Sequence, residues 1–174
     1  RYEYLDLEYY PLYYFGYGLS YTSFEYSDLK VEERENGNII AHVNVKNIGH
    51  RAGDEVVQLY VTDMYASVKT RITELKDFTR VHLRPGESKS ISFELTPYEL
   101  SLLNDNMDRV VEKGTFKILV GGVSPQYIAK DRIKDSLGYE DAQKGLSVML
   151  EYNHGFAADF DLALSKVEDN LLAK

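Results

Sequence analysis

Short segments in which apolar and polar residues alternate constrain the fold of this chain more strongly than any other feature of its sequence. The clearest segment is IIAHVNVKN at 39–47, whose odd positions hold the apolar set Ile39, Ala41, Val43 and Val45. Side chains on a β-strand point alternately to the two faces of a sheet. The segment is therefore predicted to be a strand with one buried face and one solvated face.

Similar segments recur along the chain and are separated by turn residues. The other predicted strands are FEYSDLKVE, EVVQLYVTD, ELKDF, TRVHL, SKSISFEL and two within DRVVEKGTFKILVGG. In the first of these the alternation slips between Tyr26 and Leu29. Asn36-Gly37 predicts a hairpin because both residues tolerate positive φ, and Pro85-Gly86 predicts a tight turn. EVVQLYVTD is apolar on both faces, which predicts a central strand covered on both sides.

One short helix and the C-terminal tail complete the predicted secondary structure. Thr96, Pro97 and Glu99 have the spacing of a capping box with proline at the first helical position. LSVMLEY in the tail has the pattern of a strand. The stripe Phe160, Leu164, Val167 and Leu171 predicts an amphipathic helix, which docks on the sandwich or a neighbour, or else binds a specific partner.

About seven short strands and one brief helix predict a mainly β chain. The expected architecture is an immunoglobulin-like antiparallel β-sandwich over about residues 23–122. An irregular aromatic lead-in precedes the sandwich, and a C-terminal extension that is partly helical follows it.

The composition excludes several kinds of partner and site. With 28 acidic and 20 basic residues the formal charge is −8, which argues against a nucleic-acid or anionic-membrane partner. The absence of cysteine excludes disulfides, thiolate zinc sites and cysteine nucleophiles. No apolar run has the length of a membrane helix and no signal peptide is visible.

The first residue is Arg1, so we expect the sequence to continue a longer polypeptide. Whether that parent protein is cytoplasmic or secreted stays open.

No residue pattern predicts an active site. Gly16-x-Gly18 is followed by a strand, whereas a phosphate loop leads into a helix. No two histidines have metal-ligand spacing, so we expect all of them at the surface. They are His42, His50, His82 and His154. Asn104, Asn106 and Asp108 resemble a calcium loop, but Arg109 and Thr115 stand where glycine and glutamate are needed. We predict no catalytic, cofactor-binding or metal-binding residue.

The aromatic lead-in is the one sequence feature that the predicted sandwich does not account for. Nine of the 15 tyrosines lie within residues 1–26. Tyrosine side chains are suited both to stacking on sugars and to partly hydrated protein interfaces. The candidates for an interdomain or glycan contact are Tyr13, Tyr14, Phe15, Tyr17 and Leu19. We favour an interdomain contact, with local packing and a glycan platform as alternatives.

The segment PLYYFGYGLSYTSFEYSDLKV resembles a junction in glycoside hydrolase family 3, the β-glucosidase and β-xylosidase type. There an α/β-sandwich domain leads into a fibronectin type III-like domain. The other segments that are similar to this family are RYEYLD, GHRAGDEVVQLYVTD, ELKDFTRVHLRPGESKSISFELT and KGTFKILVGGVS. The resemblance covers residues 1–124 in order, and departs from the family at Asp77, where glycine is common, and at Tyr14, where proline is usual.

The resemblance implies a division of the chain into three parts. Residues 1–22 would end a missing upstream α/β domain, residues 23–124 would form the fibronectin type III-like sandwich, and residues 125–174 would be an extension of unknown role. The family's catalytic residues lie on upstream domains, so no residue of this chain inherits a catalytic role.

The implied function is that of a non-catalytic domain bracing the upstream catalytic domains of the same polypeptide. The parent would be a retaining exo-acting glycosidase with no metal or organic cofactor. The alternative is a carbohydrate- or surface-binding module that contacts oligosaccharide through Tyr13, Tyr14 and Tyr17.

Overall fold

The structure is a computed structural model that describes residues 15, 16, 18, 20–125, 145–153, 156 and 157. Its elements are β1 Phe24–Glu33, β2 Ile39–Asn47, β3 Gly53–Asp63, β4 Glu74–Leu83, β5 Ser88–Leu95, α1 Pro97–Leu100, β6 Leu102–Leu103, β7 Arg109–Val111, β8 Gly114–Gly121, β9 Gly145–Tyr152 and β10 Phe156–Ala157. Among these residues there is no helix with the length and hydrophobicity needed to cross a bilayer.

Seven strands form two antiparallel sheets that face each other. One sheet has three strands in the order β1-β2-β5, and the other has four in the order β4-β3-β8-β9. A small third sheet, β10-β7-β6, lies beside them. The predicted antiparallel β-sandwich of about seven strands is confirmed, and β3 occupies the interior position expected of it.

The core lies between the inward faces of the two sheets. Val43 and Val45 of β2 and Val57 and Leu59 of β3 are each no more than 1% exposed, and Ile118 of β8 is fully buried between the same sheets. Burying a Val, Leu or Ile side chain stabilises the fold by roughly 1.5–3 kcal/mol. The alternation in the sequence is thus the pattern that holds the two sheets together.

The slip predicted in β1 is a β-bulge. The register with β2 jumps between Ser27 and Lys30, and Asp28 has φ of 56°. The Nδ2 of Asn44 donates to the Asp28 carboxylate at 2.9 Å. The bulge returns Leu29 and Val31 to the inward face.

The interpretation of ELKDF and TRVHL as two strands is wrong, because β4 runs without a break from Glu74 to Leu83. Leu59 lies opposite Asp77 but Tyr60 lies opposite Leu75, so Lys76 is an extra residue on β4. This bulge interrupts the alternation without ending the strand.

The predicted hairpin between β1 and β2 is confirmed, with a different turn. Gly37 has φ of 81°, whereas Asn36 is not left-handed. The amide of Gly37 donates to the carbonyl of Arg34 at 2.9 Å, which closes a turn over residues 34–37. Gly86 takes the expected left-handed conformation with φ of 77°.

The predicted short helix is α1, and the Glu99 carboxylate accepts a hydrogen bond from the Thr96 amide at 2.7 Å. It carries the chain from β5 to β6.

The predicted strand in the tail is confirmed and completes the larger sheet. β9 pairs with β8 along its whole length. Tyr152 at its end is buried, and its hydroxyl donates to the carbonyl of Gly37 at 2.9 Å, while the Asn153 amide donates to Glu33 at 3.1 Å. Part of residues 125–174 therefore belongs to the sandwich. The predicted helical stripe from Phe160 to Leu171 lies outside the described residues.

The buried Tyr152 hydroxyl should make the stability of the folded chain depend on pH. Burial, followed by the Glu33 carboxylate, raises the pKa of Tyr152 to about 12, against about 10 in an unfolded chain. The folded chain thus keeps a proton that the unfolded chain releases. The resulting stabilisation is complete below about pH 10 and is lost as the pH rises towards about 12.

Between about pH 9 and 11.5, the free energy of unfolding of the parent chain should fall further than that of Tyr152→Phe. The difference should reach up to about 2 kcal/mol. Urea unfolding at each pH measures this, with Tyr65→Phe, at a position 79% exposed, as the matched control. Parallel losses in the parent chain and in Tyr152→Phe would contradict the assignment.

Candidate interdomain joint

One of the five residues predicted as contacts lies among the described residues. Phe15 is 68% exposed, and its carbonyl accepts a hydrogen bond from the Ser124 amide at 3.0 Å. The backbone of the lead-in is therefore bound to the segment that follows β8, while the Phe15 ring is exposed. Tyr13, Tyr14, Tyr17 and Leu19 lie outside the described residues. The contact role of all five residues stays a prediction.

Gly16 lies over β3, where only glycine fits. Its φ is 79°, and a Cβ there would be 2.8 Å from Nε2 of Gln58 and 3.2 Å from the carbonyl oxygen of Gly122. Both the conformation and the close approach exclude a larger side chain. Gly16 thus lets the lead-in pass close to Gln58 and Gly122, whereas a Cβ at Gly18 would meet no atom within 4 Å.

Gln58 of β3 lies beneath Gly16 and connects β3 to the residue that follows β8. It is 4% exposed, its Nε2 donates to the Gly122 carbonyl at 3.1 Å, and its Oε1 accepts from the Tyr60 hydroxyl at 2.5 Å. Burial raises the pKa of Tyr60. Because both the oxygen and the nitrogen of its buried amide have partners, the Gln58 side chain is held in one orientation where the lead-in packs on it.

Asn47 forms the second attachment point and is fully buried. Its Nδ2 donates to the carbonyls of Arg51 at 2.8 Å and Leu83 at 2.9 Å. Its Oδ1 accepts from the hydroxyl of Thr22 at 2.6 Å and from the amide of Gly49 at 3.0 Å. One side chain therefore joins the lead-in, the β2–β3 loop and the end of β4.

Gly49 in the β2–β3 loop and Gly53 at the start of β3 make room for Thr22. A Cβ at Gly49 would overlap the Thr22 hydroxyl and lie 2.9 Å from the Ser23 nitrogen. A Cβ at Gly53 would lie 2.7 Å from the Thr22 methyl group. The spacing of the glycines in GHRAGD is thus set by contact with the lead-in.

Tyr26 and Glu55 close the same end of the core. Tyr26 is 1% exposed and its hydroxyl donates to Oε1 of Glu55 at 2.6 Å. Burial, and then the Glu55 carboxylate, raises the pKa of Tyr26 far above its usual value. A Cβ at Gly122 would overlap the Glu55 carboxylate.

These contacts define a structure that we name the lead-in anchor. Its members are Gly16, Thr22, Asn47, Gly49, Gly53, Gln58, Gly122 and Ser124. Apart from Asn47, they come from three of the separate sequence segments that resemble one family, and the fold brings those segments to one end of the sandwich. Sequence reasoning did not identify Asn47. The available signal was its parity, because it occupies the inward position that follows Val43 and Val45.

The described residues show no assembled catalytic or metal site. No group of three or more potential metal ligands occurs among them. His50 and His82 are exposed, His42 is half-buried on β2, and His154 lies outside the described residues. The Oδ1 of Asn104 accepts from the amides of Asn106 and Asp108 at 3.0 and 2.9 Å, so the calcium-like segment is a polar turn.

An ionic cluster lies on the outer side of β3 and β4. The Asp54 carboxylate accepts hydrogen bonds from Arg80 and, at 2.6 Å, from Nδ1 of His82. The Arg80 guanidinium and then His82 hold the pKa of Asp54 below its usual value. The cluster is exposed to solvent, so it contributes little to stability.

Comparison with known proteins agrees with this architecture. The protein family described as the fibronectin type III-like domain matches residues 55–124 of the sequence. A β-xylosidase of Formosa agariphila is 49% identical over 117 residues, which are 66% of this chain and 16% of that protein. Thermostable β-glucosidase B of Acetivibrio thermocellus is 44% identical over 128 residues, which are 71% of this chain and 17% of that protein. The chain thus spans about a sixth of these curated relatives.

Solved structures show the same relationship. The β-glucosidase of Listeria innocua in complex with isofagomine has a TM-score of 0.69 and 31% identity, covering 86% of this chain and 19% of that one. β-Glucosidase 3B of Thermotoga neapolitana in complex with α-D-glucose has a TM-score of 0.69 and 30% identity, covering 84% and 18%. The chain therefore belongs to the fibronectin type III-like domains found in β-glucosidases and β-xylosidases of glycoside hydrolase family 3.

Proposed function

We propose that this chain is a non-catalytic accessory domain of a β-glucosidase-type glycoside hydrolase and that it braces upstream catalytic domains of the same polypeptide. The observation that carries the proposal is the lead-in anchor. The Ser124 amide binds the Phe15 carbonyl, Gly16 packs closely against Gln58, and the buried Asn47 binds the Thr22 hydroxyl, so the entry of the lead-in onto the sandwich is fixed. The short matched share of the relatives' length supports a larger polypeptide.

The proposal includes the three-part division of the chain. Residues 1–22 link the sandwich to the catalytic part, and residues 23–124 form the body of the domain. Residues 125–174 are an extension that also supplies β9 to the larger sheet.

Purified alone, the chain is expected to show no hydrolysis of nitrophenyl β-glucosides or β-xylosides above the uncatalysed rate. The reason is that the family's nucleophile and acid/base lie on other domains and no described cluster replaces them. Turnover that persists through repurification and scales with chain concentration would contradict the proposal.

A second candidate is carbohydrate binding by the lead-in, which the exposed ring of Phe15 favours. Calorimetric titration with cello-oligosaccharides tests it. Saturable binding that is lost in Tyr14→Ala and Tyr17→Ala but kept in Tyr65→Ala would support this alternative. The bracing role predicts no saturable binding by any of the four proteins.

A further inference from the structure

The two sheets differ in the chemistry of their outward faces. On the three-stranded sheet the outward positions of β2 and β5 hold His42, Asn44, Lys46, Ser90, Ser92 and Glu94, with Ile40 as the apolar exception. The outward positions of β1, such as Glu25 and Glu32, are likewise polar and exposed. This is the pattern of a sheet with one face in water.

The outward side of the four-stranded sheet carries several large apolar residues beside the polar Gln58, Thr62, Lys117 and Ser147. We define the apolar outer face as Val56, Tyr60, Leu75, Phe78, Leu119 and Met149. The inward residues Val57, Leu59 and Val61 fill the core, so their alternating neighbours point outward. Phe78 is 64%, Met149 54%, Val56 40% and Leu75 38% exposed.

Strand pairing brings three of these residues together, because Tyr60 lies opposite both Leu75 on β4 and Leu119 on β8. Phe78 lies opposite Gln58, Val56 opposite Arg80, and Met149 opposite Lys117. Scattered exposed apolar side chains need no explanation, but neighbouring ones on one face mark an interaction site. The ionic cluster of Asp54, Arg80 and His82 borders the face, as a polar rim borders the apolar centre of an interface.

The path of the chain indicates which partner covers this face. Gly16 lies over Gln58, which is the cross-strand neighbour of Phe78. The lead-in therefore arrives on the apolar outer face, and the protein that it connects to starts from there. The matched relatives have more than four fifths of their length outside the aligned part, because that part is 16% and 17% of them.

We propose that the apolar outer face is the docking surface for the catalytic part of the same polypeptide, which presents an apolar protein surface to Phe78 and its neighbours. This inference rests on the proposed bracing function and assigns it to one side of the sandwich. The polar outward side of the three-stranded sheet remains in solvent.

A chimera tests the assignment. The segment of Acetivibrio thermocellus β-glucosidase B that matches this chain is replaced by the full chain, and two variants are made, Phe78→Asp and Met107→Asp. Met107 is the matched control because it is 74% exposed, lies in the β6–β7 turn and is not a member of the apolar outer face. The measurement is the half-life of β-glucosidase activity at a temperature where the unsubstituted chimera is stable.

Phe78→Asp is expected to shorten this half-life at least about fivefold, whereas Met107→Asp changes it by less than about twofold, because a charge in a buried interface costs far more than one in solvent. In the isolated chain both substitutions should leave the urea midpoint nearly unchanged, which separates docking from folding. Equal half-lives of the two variants in an active chimera would overturn this inference alone. A soluble but inactive unsubstituted chimera would overturn the bracing function and this inference with it. Saturable cello-oligosaccharide binding by the isolated chain that is lost in Phe78→Ala would assign the face to a glycan and overturn the inference.

Discussion

Replacing Asn47 with alanine is expected to lower the free energy of unfolding by roughly 3–5 kcal/mol, since several buried groups lose their partner at once. The carbonyls of Arg51 and Leu83 lose the donor Nδ2, and the Thr22 hydroxyl and Gly49 amide lose the acceptor Oδ1. Domains of this size are stable by only about 5–15 kcal/mol in total. The change therefore removes a large fraction of the stability, measurable as a shift of the urea midpoint by circular dichroism.

Asn44→Ala is the matched control for this substitution. Asn44 lies on the same strand, but its amide bonds the exposed carboxylate of Asp28. Its replacement should change the free energy of unfolding by less than about 1 kcal/mol. Equal effects of the two substitutions would show that Asn47 is not an organising residue of the lead-in anchor.

Replacing Gly49 with alanine is expected to cost about 2–4 kcal/mol, because the added methyl group has no space. It would overlap the Thr22 hydroxyl and approach the Ser23 backbone nitrogen to 2.9 Å. Relief of the overlap moves Thr22 away from Asn47 and so breaks the hydrogen bond between them. The loss should appear in the urea midpoint and as faster amide exchange in residues 20–23.

Gly114→Ala controls for the general effect of adding a methyl group to a glycine. No atom lies within 4 Å of a Cβ built at Gly114. Its free energy of unfolding should stay within about 0.5 kcal/mol of the parent chain. If Gly49→Ala is as stable as Gly114→Ala, the lead-in does not pack on the loop as described.

The strands were predictable from the sequence because their signals are local. The alternation over β2 fixes which residues face the core, and that pattern does not depend on the partner strand. The slip after Tyr26 is likewise visible as a change of parity, and the structure shows it as the bulge at Asp28. The interpretation of β4 was wrong at Phe78, because Phe78 faces outward whereas Val81 and Leu83 face the core, and this change of parity looks like the end of a strand.

The lead-in anchor was less predictable because its bonds join distant residues. Leu83 is 36 residues from Asn47, and Gly122 is 64 residues from Gln58. A buried polar residue at an inward position signals that a partner exists but does not say where it lies. The glycines of GHRAGD were visible as loop residues, whereas their contact with Thr22 follows only from the fold.

The most direct test of the bracing function compares three forms of Acetivibrio thermocellus β-glucosidase B: intact, with its matching segment deleted, and with that segment replaced by this chain. The measurement is kcat/KM for nitrophenyl β-glucoside in the purified soluble proteins. The bracing function predicts that deletion lowers this value at least about tenfold and that the chimera recovers most of it. A deleted enzyme as active as the intact one, or a folded chimera no better than the deleted enzyme, would contradict it.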